Sequence, residues 1–116
     1  MRRDSGEKTF VSLDNIEKTV EEMLESIHQG LYAKAKRNLE ENTRPAFSLD
    51  EAKAIQAERG GFVKTMWCGC QECEEKMKAE GGMTSRCIPF AQEHLSDTCA
   101  ICGKPAKEMI YWGVAY

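Results

Sequence analysis

All six cysteines of this 116-residue chain lie beyond residue 67. They are Cys68, Cys70, Cys73, Cys87, Cys99 and Cys102. The N-terminus lacks the apolar segment of a secretory signal peptide, and no apolar run approaches the roughly 20 residues of a membrane span. We therefore expect a cytoplasmic protein without a membrane partner, whose cysteines bind a metal ion rather than form disulfides.

The pair Cys99 and Cys102 has the spacing of a zinc knuckle, C-x2-C followed by Gly103. Two thiolates at this spacing can bind one ion while backbone N–H groups of the turn point at the sulfurs. A redox dithiol is disfavoured because such motifs usually open a helix, whereas Gly103 and Pro105 follow this pair. The pattern indicates metal binding.

The first cysteine pair is ambiguous from spacing alone. Cys70 and Cys73 form C-x2-C, Cys68 and Cys73 form C-x4-C, and both spacings occur in structural zinc sites. Either choice completes a tetrahedral set of four thiolates. Such a site would stabilise a part of the chain that is too small to rely on its apolar core.

The remaining chemistry-bearing residues indicate no enzyme active site. There is no phosphate-binding glycine loop and no nucleophile-elbow pattern. Cys87 lies in a predicted strand and is expected to be a small buried side chain. An autonomous enzyme would need a reactive thiol, and Cys70 and Cys87 are the thiols predicted to react. Five cations near the cysteines in sequence could offset the negative charge of a zinc-thiolate site: Lys64, Lys76, Arg86, Lys104 and Lys107.

The N-terminal part of the chain predicts a turn followed by a long helix. Asp4, Ser5 and Gly6 suit a hairpin turn. Ser12 is placed as the N-cap of a helix over residues 13–42, with apolar residues recurring every three or four positions. Such a helix either connects domains or packs into a core as an ordinary amphipathic helix.

The rest of the chain predicts short helices and strands. A turn at residues 42–45 precedes a helix that Ser48 opens with a capping box and Gly60 ends. Strands are predicted over 62–67, 84–90 and 106–116, and a helix over 72–80. The expected fold is α+β, a two-layer α/β sandwich-like arrangement. It has a long N-terminal connecting helix and a small mixed or antiparallel sheet with short helices and a four-cysteine zinc site.

The charge balance bears on nucleic-acid binding. The net charge is −3, which argues against a protein that binds DNA or RNA through bulk charge, and no DNA partner is expected. The alternative function is a free-standing RNA-binding zinc module. Its surface would combine Lys104 and Lys107 with the aromatic side chains of Tyr111 and Trp112.

Several motifs together resemble the C-terminal zinc-binding domain of prolyl-tRNA synthetase, of the archaeal/eukaryotic-like type. Within that domain they are Trp67-Cys68-Gly69-x-x-Glu72-Cys73-Glu74, Arg86-Cys87-Ile88-Pro89-Phe90, Cys99-x-x-Cys102-Gly103-Lys104-Pro105-Ala106-Lys107 and Ala115-Tyr116. Upstream, Arg2-Arg3-Asp4-x-Gly6-Glu7-Lys8 is similar to the end of the anticodon-binding domain, and Glu40-Glu41-Asn42-Thr43 to the end of its connecting helix. The resemblance covers nearly the whole chain.

The resemblance implies a division into three parts. Residues 1–12 would end the anticodon-binding domain, 13–43 would form the connecting helix, and 44–116 would be the C-terminal zinc-binding domain. The parent enzyme is a class II aminoacyl-tRNA synthetase, a ligase of protein biosynthesis that uses ATP to attach proline to its tRNA. None of its catalytic motifs occurs in this chain, which should be inactive alone. Its expected partners are the catalytic and anticodon-binding domains and, through the parent, proline tRNA.

The resemblance also implies residue roles. The structural Zn²⁺ ligands would be Cys68, Cys73, Cys99 and Cys102. The position of Cys70 is typically acidic in the family, so Cys70 is at most an alternate ligand, and Cys87 is not a ligand. Tyr116 matches a family residue that contacts the catalytic domain. The fragment would be a stabilising and positioning module, with ATP bound only in the catalytic domain of the parent.

Overall fold

The long apolar repeat near the N-terminus forms a helix, as predicted. In the computed structural model, which describes residues 1–115, a 3₁₀ turn at Leu13–Asn15 leads into α1, Ile16–Glu41. The prediction that the Ser12 side chain caps this helix is wrong. Instead, the Ser12 carbonyl accepts a 3.1 Å hydrogen bond from the backbone N–H of Asn15. This backbone bond satisfies the Asn15 N–H at the start of the helix without a side chain.

The apolar stripe of α1 is exposed. Ile16, Val20, Leu24 and Leu31 are 47–62% exposed, and no residue of α1 is buried. The role of this helix, as a connection between domains or as an ordinary amphipathic helix, stays a prediction. No described helix is long and apolar enough to cross a membrane.

The described chain divides into two units, Met1–Asn38 and the residues from Leu39 onward. The N-terminal hairpin expected in the first unit is only a turn. Arg2 donates its N–H to the Glu7 carbonyl at 2.8 Å, and Gly6 takes the left-handed conformation at φ 75°. Residues 1–12, all of them described, contain no strand. The two segments on either side of the turn would form an isolated two-stranded hairpin, which is marginal in water without a third strand.

The second unit contains a four-stranded mixed sheet. Its strands are β1, Thr43–Pro45; β2, Phe62–Trp67; β3, Thr84–Cys87; and β4, Glu108–Gly113. Their order is β1-β2-β4-β3, with β1 parallel to β2 and the other neighbours antiparallel. The mixed sheet of the predicted α+β fold is confirmed.

Strand β1 was not predicted, because Pro45 within a three-residue segment resembles a turn. Proline cannot donate a ladder hydrogen bond and is tolerated at a sheet edge, which is where β1 lies. Ala46 donates its N–H to the Lys64 carbonyl at 2.9 Å and so continues the pairing beyond the proline.

Two short helices cover one face of the sheet. They are α2, Leu49–Arg59, and α3, Gln71–Gly81. The predicted capping box forms in α2 with its second bond shifted from Ser48 to the preceding residue. The Ser48 hydroxyl accepts from the Glu51 N–H at 3.2 Å, and the Glu51 carboxylate accepts from the Phe47 N–H at 2.8 Å.

The core lies between these helices and the two central strands. Ala52 of α2 and Met77 of α3 are fully buried together with Val63 of β2 and Trp112 of β4. The indole N–H of Trp112 donates to the Thr65 hydroxyl at 2.9 Å, so the buried polar groups satisfy each other. One layer of helices on one sheet is the predicted two-layer arrangement.

Strand β3 is shorter than predicted, because a side chain takes its place along β4, and β4 itself covers Glu108–Gly113. β3 has a register shift between Ser85 and Cys87 and stops before Pro89. Beyond it, the Gln92 amide accepts from the Met109 N–H at 2.6 Å and donates to the Met109 carbonyl at 3.2 Å. Gln92 thus pairs with β4 as a neighbouring strand would.

Candidate metal centre

Four cysteine side chains from three parts of the chain meet at one end of the sheet. Cys68 follows β2, Cys73 lies in the first turn of α3, and Cys99 and Cys102 lie in the loop between β3 and β4. Their sulfur atoms all lie within 4.8 Å of one another. The fold therefore assembles both cysteine pairs into one cluster.

The sulfur separations fit a tetrahedral ion. The Sγ atom of Cys68 is 3.6 Å from those of Cys73 and Cys102. Four sulfurs about 2.3 Å from a central Zn²⁺ would be roughly 3.8 Å apart, whereas a disulfide has a bond of about 2.05 Å. All four cysteines are free, and thiolate sulfur is the donor that zinc favours in closed structural sites.

The first half of the cluster is shaped by the turn after β2. Gly69 takes the left-handed conformation at φ 80°, which brings the backbone N–H of Cys70 to the sulfur of Cys68. The chain then enters α3, so Cys73 reaches the cluster from the first turn of the helix. The indole N–H of Trp67 donates to the Cys70 carbonyl at 3.3 Å and supports this turn.

The second half is a small hairpin at residues 97–106. The Cys99 N–H donates to the Lys104 carbonyl at 2.8 Å, and the Gly103 N–H donates to the Cys99 carbonyl at 2.9 Å. Gly103 has φ 72°, and the Lys104 N–H reaches the sulfur of Cys102. The knuckle predicted for Cys99 and Cys102 therefore has a backbone donor aimed at a sulfur, and the turn after β2 has a similar one that was not predicted.

The hairpin docks on the end of β2 through main-chain bonds. Ala100 donates to the Met66 carbonyl at 3.1 Å, and Lys107 donates to the Trp67 carbonyl at 2.8 Å. Sequence reasoning missed these contacts. Backbone groups leave no residue signature, so the sequence had no signal for them.

The cluster contains thiols with opposite tendencies to ionise. Burial raises the pKa of Cys68 and Cys73, and the neighbouring cysteine sulfurs raise that of Cys73 further. The Lys104 N–H stabilises the thiolate of Cys102 and lowers its pKa to about 7. A cation in the cluster would displace the protons that burial retains.

Two cysteines lie outside the cluster. The thiol of Cys70 is half-buried and lies 3.9 Å from a carboxylate oxygen of Glu72. Cys87 is exposed, so the prediction of a buried side chain is wrong. The register shift in an edge strand breaks the inward-outward alternation on which that prediction depended.

Most of the five expected cations have other partners. Lys64 pairs with Glu93 at 2.6 Å, Lys76 lies 4.0 Å from Glu80, and Arg86 donates to the Gly113 carbonyl at 3.2 Å. The Lys107 side chain lies beside Gly69 instead. A Cβ atom placed on Gly69 would be 3.5 Å from the Lys107 Cδ.

The aromatic surface of the alternative RNA-binding hypothesis does not form. Trp112 is fully buried and bonded to Thr65, so its ring cannot stack on a base. Tyr111, its neighbour in β4, points to the other face of the sheet. Lys104 and Lys107 are both exposed. Tyr116, predicted to contact a catalytic domain, lies outside the described residues.

Comparison with known proteins gives one family. A family model described as prolyl-tRNA synthetase, C-terminal, matches residues 49–116. The whole chain is 52% identical to Proline--tRNA ligase 2 of Bacillus thuringiensis subsp. konkukian and 48% identical to Proline--tRNA ligase of Clostridium novyi. It spans 24% of the length of each of these relatives. The chain belongs to the prolyl-tRNA synthetase C-terminal family.

Proposed function

We propose that Cys68, Cys73, Cys99 and Cys102 hold one structural Zn²⁺ ion. The observation that carries this proposal is that the four sulfur atoms lie within 4.8 Å of one another. The sulfur of Cys68 is 3.6 Å from those of Cys73 and Cys102. Hard oxygen-preferring cations do not suit four thiolates, whereas zinc does. Cys70 stays an alternate ligand only if its half-buried side chain rotates away from Glu72.

A structural role follows from the donor set. A catalytic zinc usually keeps three protein ligands and an open position, but four thiolates close the coordination sphere. The ion would join the end of β2, the start of α3 and the 97–106 hairpin, each of which contributes a buried cysteine to the core. Structural zinc sites contribute roughly 10 to 16 kcal/mol of apparent binding free energy coupled to folding.

We further propose that the module serves a proline-tRNA ligase, which uses ATP to attach proline to its tRNA in the cytoplasm. The family match and the identity to ligases over the whole chain support this role. Residues 1–12 would end the anticodon-binding domain, 13–43 would connect, and 44–116 would be the zinc-binding domain. The module would position these neighbours and the catalytic domain, with Tyr116 contacting the latter, while ATP and tRNA are handled by the rest of the enzyme.

The test is zinc stoichiometry on the purified chain and on two matched variants. Cys68→Ser removes a proposed ligand, whereas Cys70→Ser makes the same change two positions away and outside the cluster. We expect one zinc per wild-type chain, retained in Cys70→Ser and lost or strongly weakened in Cys68→Ser. Zinc loss only in Cys70→Ser would overturn the ligand set, and a wild-type chain without zinc would overturn the metal site.

A further inference from the structure

We propose that Cys102 is a peroxide-sensitive modification site and that Cys68 is its disulfide partner. The inference rests on the proposed zinc site and adds a reactivity to it. The four cysteines differ sharply in exposure. Cys68, Cys73 and Cys99 are 9%, 5% and 2% exposed, whereas Cys102 is an exposed residue. A soluble oxidant therefore approaches the cluster at Cys102.

Position in the hairpin explains this difference. Cys99 is held inside by the hairpin hydrogen bond to Lys104, and Cys73, in the first turn of α3, belongs to the buried core. Cys102 comes at the tip, just before Gly103, where an added Cβ would meet no other atom within 4 Å. The tip is thus open around Gly103, the residue next to Cys102.

The neighbouring sulfur selects the disulfide partner. Cys68 lies 3.6 Å from Cys102, so a small movement of the hairpin tip brings the two into bonding distance. Cys68 also lies 3.6 Å from Cys73, but both of these sulfurs are buried and neither meets the oxidant first. The order of attack is therefore set by exposure, and the pairing by proximity.

The chemistry needs only a hydroperoxide. The Cys102 thiolate attacks one oxygen of hydrogen peroxide, the O–O bond breaks, and sulfenic acid and hydroxide form. The Cys68 thiolate then attacks the Cys102 sulfur, an S–S bond forms, the S–O bond breaks, and a second hydroxide leaves. Two thiolates are oxidised by two electrons and one peroxide is reduced to two hydroxides.

The product would no longer hold a metal ion firmly. Only Cys73 and Cys99 would remain as thiolates, and two ligands do not complete a tetrahedral site. The Cys68–Cys102 disulfide would tie the hairpin to the end of β2 in place of the ion. A thiol reductant would regenerate both thiolates, so the change is reversible.

The experiment uses the zinc-loaded 116-residue chain with Cys70→Ser and Cys87→Ser, which removes both thiols outside the cluster. Hydrogen peroxide is added, zinc release is followed with a chromophoric chelator, and disulfides are mapped by mass spectrometry. We expect one Cys68–Cys102 disulfide per zinc released. In this background, Cys102→His supplies an imidazole ligand without the exposed thiol and should slow release at least tenfold. The control Lys104→Ala removes an exposed side chain outside the ligand set and should leave the rate within about twofold.

The outcomes separate the two proposals. If zinc binds but the first disulfide is Cys99–Cys102 or Cys68–Cys73, the inference about Cys102 and Cys68 is wrong and the metal site stands. If zinc-loaded Cys102→His releases zinc at the rate of the parent chain, the inference about Cys102 and Cys68 is also wrong and the metal site stands. A chain that binds no zinc at all refutes the proposed function as well.

Discussion

Replacing Gly103 tests whether the turn after the Cys99 and Cys102 pair is shaped for metal binding. Gly103 has φ 72°, and a methyl group there would meet no other atom within 4 Å, so Gly103→Ala changes only the energy of the backbone. An L-residue in the left-handed region costs about 1–2 kcal/mol. Because the metal-bound turn needs this conformation, zinc affinity should fall about 5- to 30-fold, at about 1.4 kcal/mol per tenfold.

Competition with a chromophoric zinc chelator at neutral pH measures this change directly. Gly103→Asn should bind with intermediate affinity, because asparagine tolerates the left-handed conformation better than alanine does. Lys104→Ala is the matched control, since it keeps the backbone N–H that reaches Cys102 and removes only an exposed side chain. Wild-type affinity in Gly103→Ala, or weaker binding in Gly103→Asn than in Gly103→Ala, would refute the reasoning.

Three further predictions concern the core, the sheet and the protons of the cluster. Thr65→Val leaves the buried indole N–H of Trp112 without an acceptor, so thermal unfolding of the zinc-loaded chain should show a loss of about 1–3 kcal/mol. Thr84→Val, which breaks only a 3.5 Å bond, should cost less than about 0.5 kcal/mol, and equal losses would contradict this account. Gln92→Ala removes both side-chain bonds to the start of β4, so hydrogen exchange there should speed up while the Trp112 amide stays protected; unchanged exchange would be the contrary result. Protons compete with metal for the thiols, so zinc affinity should fall as the pH is lowered toward and below the Cys102 pKa of about 7. Loading the metal-free chain at neutral pH should release protons, chiefly from the buried thiols whose pKa is raised. Titration calorimetry in two buffers measures this release. A zinc affinity that does not change with pH would contradict the prediction.

Local sequence signals predicted most of the elements of the fold. The capping box at Ser48 and Glu51 fixes the start of α2, since its hydrogen bonds form within one turn. Strand β2 was predicted with the bounds it has, because β-forming residues fill it without interruption. Signals of this kind depend on neighbours in sequence and need no knowledge of the tertiary structure.

Features that depend on distant partners were harder to predict. Strand β1 forms because it pairs in parallel with β2, and no residue within Thr43–Pro45 predicts that pairing. Cys87 was expected to be buried, but an edge strand with a register shift has no fixed inner face. The sequence favours Trp112 as an RNA-stacking group because it does not reveal which face of β4 the helices cover.

The cysteine cluster lies between these two cases. Spacing identified Cys99 and Cys102 as a pair, because both belong to one short turn. Spacing could not choose between Cys68 and Cys70, since that choice depends on the direction in which the chain leaves β2. The left-handed Gly69 turns Cys70 out of the cluster and leaves Cys68 in contact with Cys73 and Cys102.

X-ray absorption spectroscopy at the zinc edge of the purified chain tests the central proposal most directly, because it reports the atoms bound to the ion. Four closely spaced cysteine sulfurs predict one zinc per chain with four sulfur neighbours at about 2.3 Å. They also predict no nitrogen or oxygen neighbour, and the same spectrum in Cys70→Ser. A first shell that contains nitrogen or oxygen, or a chain that retains no zinc, would contradict a structural four-thiolate site.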